Sequence, residues 1–250
     1  MTFGIPCWID LSTSDKPLAL TFYGGLFDWT STESGEEFGH YSILSKGDAE
    51  VGGMMQKTPE MGEGPDIWSV YFSVDDAAAA LDTAVSVGAQ RLFPPMQVGD
   101  MGSMAIMLDP TGALVGLWQP DTFAGFPVTG EIGTPVWFEL QTRDMVAAEA
   151  FYREVFVLES TPSTNPGGPP YTMLKKDGVD RAGIFDMTGT APEEVPAYWT
   201  VYFGVADLDT AMRYVEENGG TIITPTMEIG GRPWATVADP MGAPFVLMQV

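Results

Sequence analysis

Hydrophobic and polar positions alternate in short runs along most of the chain. Trp8-Ile9-Asp10-Leu11 sends Ile9 and Leu11 to one face and Trp8 and Asp10 to the other, as a half-buried strand does. A helical period follows: between Lys16 and Phe27, the residues Leu18, Phe22, Leu26 and Phe27 fall on one side. Three short strand-like runs come next, at Trp29 to Thr32, Tyr41 to Leu44 and Val51 to Met55. Then the order restarts. Ser69 to Val74 alternates, Asp76 to Val87 reads as an Ala-rich helix stopped by Gly88, and Gln90 to Phe93, Met104 to Leu108 and Leu114 to Trp118 read as strands. Asp109-Pro110-Thr111-Gly112 is the turn between the last two. The pattern predicts β-α-β-β-β, twice in succession.

The whole of this is then written a second time. Trp68-Ser69-Val70-Tyr71-Phe72-Ser73-Val74 matches Trp199-Thr200-Val201-Tyr202-Phe203-Gly204-Val205 at an offset of 131 residues. Asp109-Pro110, Gly112-Ala113, Leu117 and Gln119 recur as Asp239-Pro240, Gly242-Ala243, Leu247 and Gln249, at 130. Asp15 and Phe22-Tyr23 recur as Asp144 and Phe151-Tyr152, at 129. Several matches in order at a nearly constant offset define an internal repeat. The expected organisation is a first domain over 1–120, a linker over 121–134 rich in Gly, Pro and Thr, and a second domain over 135–250.

Composition narrows the function. Hydrophobic residues make up 45% of the 250, enough for a core in each half. With 34 acidic against 11 basic residues the formal charge is −23, which repels phosphate backbones and anionic bilayers, so neither nucleic acid nor membrane is an expected partner. No run of 18 apolar residues occurs, and the first ten residues lack the basic and apolar stretches of a signal peptide. A single cysteine, Cys7, permits no intrachain disulfide and suits a reducing, cytoplasmic setting.

The ordered motifs resemble the vicinal oxygen chelate superfamily of glyoxalase I, the bleomycin resistance proteins and the extradiol dioxygenases. The marks are the strand–Asp–helix opening with Phe-Tyr, the Tyr-Phe-x-Val-x-Asp middle strand, and the closing Asp-Pro-x-Gly hairpin, each present twice. Within that family the chain is similar to tandem actinobacterial proteins described as glyoxalase-like or as hydroxylases. The resemblance implies an α+β fold of two tandem domains. Each would be a pair of βαβββ modules forming a U-shaped mixed sheet, with helices outside and a cavity inside. It also implies where metal-using relatives keep their ligands: Trp8, Ser69 and Gly116 in the first repeat, Trp137, Thr200 and Val246 in the second. None of the six is a histidine or a carboxylate, and the sole histidine, His40, lies elsewhere. No metal and no cofactor are therefore expected.

Strand alternation supplies candidate residues independently. Val70, Phe72 and Val74 suit packing against helices, leaving Ser69, Tyr71 and Ser73 on the opposite face. In the second repeat Val201, Phe203 and Val205 stand against Thr200, Tyr202 and Gly204. Trp8 and Asp10, Trp137 and Glu139, Gly116 and Trp118, and Val246 and Met248 fall on the same inward side. Aromatic walls with few polar groups suit small-molecule pockets. Asp10 and Glu139 are candidate catalytic bases or hydrogen-bond acceptors; Trp8, Ser69, Tyr71, Gly116, Trp118, Trp137, Thr200, Tyr202, Val246 and Met248 are candidate ligand contacts. The competing reading has each carboxylate bonded to a facing Tyr hydroxyl, and the Trp residues as core filler. Gly52-Gly53 and Gly167-Gly168 lack the Lys-Ser/Thr and the strand–loop–helix setting of phosphate loops.

Three functions remain in view. The first is a binding protein that holds a small aromatic or polyketide-like molecule without metal. The second is a metal-independent tailoring enzyme, an isomerase, lyase or hydroxylase-like activity, with Asp10 or Glu139 as base. The third is a regulatory protein-interaction module. The tandem copies are expected to pair within one chain, giving a monomer.

Overall fold

The computed structural model describes residues 2–59, 64–127, 129–163 and 169–250, so Gly167 and Gly168 lie outside the described residues. Four modules follow one another. The first runs β1 (Pro6–Thr13), α1 (Lys16–Phe27), β2 (Thr30–Glu33), β3 (Ser42–Lys46), β4 (Ala49–Gln56). The second runs β5 (Ile67–Ser73), α2 (Ala77–Ser86), β6 (Gln90–Val98), β7 (Gly102–Leu108), β8 (Leu114–Pro120). The third is β9 (Pro135–Thr142), α3 (Met145–Phe156), β10 (Glu159–Pro162), β11 (Tyr171–Lys176), β12 (Val179–Asp186). The fourth is β13 (Tyr198–Val205), α4 (Leu208–Glu217), β14 (Thr221–Ile222), β15 (Met227–Ile229), β16 (Arg232–Ala238), β17 (Pro244–Gln249). In every module the first strand pairs in parallel with the last, and the remaining strands pair antiparallel. The sheets are thus mixed and the fold is α+β: two tandem domains of the expected βαβββ type.

The repeated motifs have local physical causes. Each α-helix opens on an aspartate, Asp15, Asp76, Asp144 or Asp207, whose carboxylate accepts a backbone N–H of the first turn. In the Asp-Pro-x-Gly hairpins, Asp109 Oδ1 accepts from the backbone of Thr111 and Ala113, and Asp239 Oδ1 from Met241 and Ala243. The glycine of each turn sits at positive φ, 94° at Gly112 and 92° at Gly242, where a side chain would be strained. One detail of the helix reading differs. Leu18 is 42% exposed, and the buried face of α1 is Lys16, Ala19, Phe22, Tyr23 and Phe27. Tyr23, not Leu18, completes the apolar stripe one turn above Phe27.

Contacts divide the chain into two compact units, and neither coincides with a repeat. One unit, Trp8–Ser69, Phe126–Trp137 and Thr200–Val250, joins the first and fourth modules. The other, Met1–Cys7, Val70–Gly125 and Phe138–Trp199, joins the second and third. Each unit therefore takes one module from each repeat. In the first–fourth unit α1 meets α4, over a core of Phe22, Tyr23, Phe27, Trp29, Trp68, Phe203 and Phe245; the Phe27 and Phe203 rings are 5.0 Å apart. In the second–third unit α2 meets α3, and Phe72 stacks on Phe156 at 4.6 Å beside Phe151, Tyr152 and Trp199.

A hydrogen-bond relay threads each of these cores. In the second–third unit Trp199 Nε1 donates to Tyr152 Oη (2.7 Å), which donates to Asp109 Oδ2 (2.8 Å). In the other unit Trp68 Nε1 donates to Tyr23 Oη (3.0 Å), which donates to Asp239 Oδ2 (3.1 Å). Each relay links the Tyr of one repeat's Phe-Tyr pair to the turn aspartate of the other repeat. Burial, opposed by their donors, lifts both aspartates above the usual carboxylate range. Burial, with the neighbouring carboxylate, lifts both tyrosines well above theirs.

Candidate functional site

Alternation divides the strands into two faces of unequal accessibility. On β1, β5 and β13 the helix-facing Ile9, Leu11, Val70, Phe72, Val201 and Phe203 are wholly sealed, at 0%, while Val205 at the end of β13 retains 5%. The opposite face keeps a little accessible surface. Trp8, Asp10, Ser69, Tyr71, Trp118, Glu139, Thr200, Tyr202, Val246 and Met248 each retain between 2 and 8%. Phe138 on β9 departs from the pattern, retaining as much as its inward neighbours. All of these side chains are buried.

In the first–fourth unit the first repeat builds a cluster around Asp10. On β1, Asp10 sits opposite Gly53 of β4, and Gly53 sits opposite Ile43 of β3. Tyr41, two residues before Ile43, points to the same side, and its arm crosses β4 over the glycine to donate its hydroxyl to Asp10 Oδ1. A Cβ at Gly53 would overlap the Tyr41 hydroxyl and lie 2.7 Å from Asp10 Oδ1, so only glycine leaves the passage open. Trp8 Nε1 donates to Asp10 Oδ1 (3.1 Å) and to Tyr41 Oη (2.9 Å), and the Trp8 ring lies 5.6 Å from Phe126. The phenol that meets Asp10 in this unit is thus Tyr41, a residue outside the strands from which the candidates were drawn. The signal was in the repeat: Tyr41 and Gly53 recur at offset 130 as Tyr171 and Gly183. His40, beside Tyr41, is exposed; its carbonyl accepts from Lys16 Nζ and its ring bonds Glu33 (3.2 Å). Hydrogen bonds from Lys16 and His40 hold Glu33 below the usual carboxylate range.

The second repeat contributes a different face to the same unit. Tyr202 pairs with Val246 across β13 and β17, and Trp234 pairs with Met248 across β16 and β17. Tyr202, Val246 and Met248 form one apolar cluster, with Val136, Trp137 and Trp234 packed against it. Thr200 belongs to the same side of β13, is buried, and has no hydrogen-bond partner for its Oγ1 among the described residues.

In the second–third unit, Tyr71 on β5 lies opposite Gly116 on β8. Its ring covers the glycine so closely that a Cβ there would overlap Cγ and Cδ1. Trp118 donates Nε1 to the Phe123 carbonyl (2.9 Å). Glu139 on β9 lies opposite Gly183 on β12, and Gln141 Nε2 donates to Glu139 Oε1 at 2.6 Å. The Tyr171 hydroxyl sits over Gly183 as Tyr41 does over Gly53. Burial, with the Glu139 charge, raises the Tyr198 hydroxyl above the ordinary tyrosine range. Cys7 is buried with its thiol on the Tyr71 carbonyl (3.5 Å), and burial pushes that thiol up, away from nucleophilic use.

The six positions that the resemblance assigns to metal ligands hold these groups. Trp8 and Trp137 offer indole N–H donors, Ser69 and Thr200 neutral hydroxyls, and Gly116 and Val246 nothing at all. Among the described residues no group of three His, Cys, Asp or Glu side chains is placed to hold a metal ion.

Two βαβββ-paired repeats, each with an aromatic face and a buried carboxylate, define a tandem domain protein of the glyoxalase type. The chain belongs to the Glyoxalase/Bleomycin resistance protein/Dioxygenase superfamily, whose family model matches residues 7–117 and again 134–247. It is 35% identical over 253 residues to "Putative glyoxylase CFP32" of Mycobacterium tuberculosis (strain CDC 1551 / Oshkosh), covering 98% of this chain and 95% of that one. It is 31% identical over 261 residues to anthracycline biosynthesis protein DauV of Streptomyces sp. (strain C5), covering 99% and 94%. Among solved structures, the Mn(II)-bound glyoxalase from Novosphingobium aromaticivorans superposes with a TM-score of 0.69 at 12% identity, covering 99% of this chain and 82% of that one. The 2,3-dioxygenase LapB from Pseudomonas sp. KL28 gives 0.66 at 14%, covering 100% and 93%. At those identities the solved structures speak for the fold alone. No helix among the described residues is long and apolar enough to cross a membrane.

Proposed function

We propose that this protein binds a small aromatic or polyketide-like molecule on the inward faces of its repeats, without a transition metal. The observation that carries the reading is the aromatic face of each repeat: Trp8 and Tyr41 gather on Asp10 in the first, and Trp137, Tyr202 and Trp234 gather around Val246 and Met248 in the second. Large aromatic side chains beside a few polar atoms have the composition of a small-molecule site. The donor set at the family's metal positions supports the metal-free part. The relatives named for anthracycline biosynthesis support a polycyclic, polyketide-like ligand.

Native mass spectrometry of the protein purified from its own host tests this. The expected spectrum is a monomer of 27.0 kDa with an organic adduct. One tightly bound transition metal per repeat, found by elemental analysis, refutes the metal-free reading. A species of twice the mass at low protein concentration refutes the monomer.

A second reading is favoured by the Asp10 cluster. A carboxylate bonded by a phenol, with an indole N–H on both, is an arrangement that can pass a proton, so turnover with Asp10 as base, or Glu139 in the other repeat, is the enzymatic alternative. Conversion of the recovered ligand by the pure protein decides between the two.

A further inference from the structure

On the helix side of the first–fourth unit, where α1 meets α4, a half-open trough of about 310 Å³ remains unfilled, the lower end of the size range of small-molecule pockets. Local sequence makes the room. Gly25, in the last turn of α1, brings no side chain, and a Cβ there would overlap the Tyr214 hydroxyl, which donates to the Phe22 carbonyl (3.3 Å). Asp207, Thr210, Ala211 and Tyr214 stand at helical spacing and line the α4 side. Gly133 and Gly204 let the linker run against the end of β13, through backbone bonds of 2.8 and 3.1 Å. That course places Ile132, 50% exposed, as the outer wall over an apolar floor of Phe27 and Val205.

The charges sit on the rim. Asp28 follows α1 at φ 57°, its side chain 95% exposed, and accepts from Lys46 Nζ through Oδ2 (3.1 Å). Lys46 lays its methylene stem beside Gly133, so the trough meets hydrocarbon there. Asp207 is the second carboxylate, held below its usual range by hydrogen bonds from Thr210. Two carboxylates against one ammonium that is already engaged leave the rim negative. The second–third unit is built otherwise. Glu154, Val157 and Thr83 stand where Gly25, Asp28 and Tyr214 do here. Lys176, the counterpart of Lys46, donates to the Phe156 and Val157 carbonyls at the end of α3 (3.1 and 3.2 Å). Lys46 has left that helix end for the carboxylate of Asp28.

We propose that this trough is a second binding site, and that it takes a compact amphiphilic amine, with the hydrocarbon part between Ile132 and α4 and the ammonium at the rim carboxylates. None of the candidate contacts on the inward faces lines it, so it stands apart from the reading of those faces.

Amide NMR titration with 2-phenylethylamine, 2-phenylethanol and 3-phenylpropionate tests this, since the three share a hydrocarbon body and differ in charge. The amine is expected to bind most tightly and the carboxylate least, with shifts at the Gly133, Ala206 and Asp207 amides. Asp28→Asn keeps the left-handed backbone, which asparagine tolerates, and is expected to weaken the amine by about threefold, the size suited to an exposed charge. Lys46→Met keeps the stem, removes the competing cation, and is expected to tighten the amine by a similar factor. Ile132→Ala is expected to weaken amine and alcohol alike. Tighter binding of 3-phenylpropionate, lost in Lys46→Met, makes the trough an anion site and overturns the proposal. Amine shifts confined to β1 and β5, or no binding of the amine at all, overturn it as well, and leave the metal-free binding of an aromatic molecule on the inward faces untouched.

Discussion

Replacing Tyr152 by Phe removes one oxygen atom from the core of the second–third unit and breaks a relay at its middle. The ring packing is kept, since the neighbouring Phe72 and Phe156 centroids are 5.8 and 5.7 Å away and phenylalanine fills the same space. What is lost is the acceptor for Trp199 Nε1 and the donor to Asp109 Oδ2. Both orphaned groups are buried, Trp199 at 2% and Asp109 at 3% exposure. An unsatisfied buried group costs ~1–3 kcal/mol, and more where charge is involved, so the pair amounts to ~2–5 kcal/mol. For a chain of this size that corresponds to a fall in Tm of roughly 5–15 °C. The loss also carries a pH signature. Burial holds the Asp109 carboxyl above its ordinary range, so its contribution to stability is full below the unfolded pKa and is lost as pH rises through the folded one. Tyr152 favours the charged form; without it the neutral-pH penalty grows, and at acid pH, where Asp109 is protonated, the loss should shrink towards the share owed to the orphaned Trp199 N–H. Urea unfolding followed by tryptophan fluorescence at neutral and acid pH measures both effects. A loss under about 1 kcal/mol at neutral pH, or one that does not shrink on acidification, would refute the relay as a stabilising device.

Other outcomes follow from single side chains. Thr200→Val should raise Tm by at least about 2 °C, because it removes an unpaired buried hydroxyl without changing shape; a fall in a thermal melt would mean that the hydroxyl has a partner. Gly53→Ala should cost about 1–3 kcal/mol in denaturant unfolding by driving the Tyr41 hydroxyl off Asp10, with Gly183→Ala doing the same through Tyr171; variants as stable as the wild type would contradict the overlap. Asp10→Asn and Glu139→Gln keep size and remove charge, and should weaken handling of the recovered ligand by on the order of 1–3 kcal/mol with little change in fold. If calorimetry finds that ligand untouched in both variants, the carboxylates are structural.

The repeat, the modules and the faces were legible because they depend on short-range regularities: a fixed offset, a period of two, a period near four. Asp109 could be read as a turn residue because its Oδ1 bonds lie within four positions of it. Its other oxygen could not be read, since Tyr152 lies 43 residues away and alternation reports which way a side chain points, not what it meets. Tyr41 escaped for a related reason. It opens the strand-like run Tyr41 to Leu44, but the pattern does not say what it meets, and its reach to Asp10 depends on a glycine in the strand between them. Leu18 shows the opposite error, an apolar residue at a plausible helical position that the core does not use. The marks that betray the family, meanwhile, are scaffolding: helix caps, turn aspartates and the tyrosines that bond them. On the inward faces the copies disagree, at Gly116 and Val246 and at Trp118 and Met248.

The shuffled membership of the two compact units bears on inheritance. A polypeptide carrying one repeat would bare the helix side of each of its modules, Phe22 and Phe27 from one and Phe72 from the other, and could cover them only with a sister molecule. In such an assembly of identical chains every codon is expressed on both faces at once, and a mutation that opens one opens its twin. Joining two copies end to end lifts that constraint. Each codon then acts in a single place, so a glycine can be kept under Tyr71 while a valine stands opposite Tyr202. One face is free to change while its twin keeps its packing.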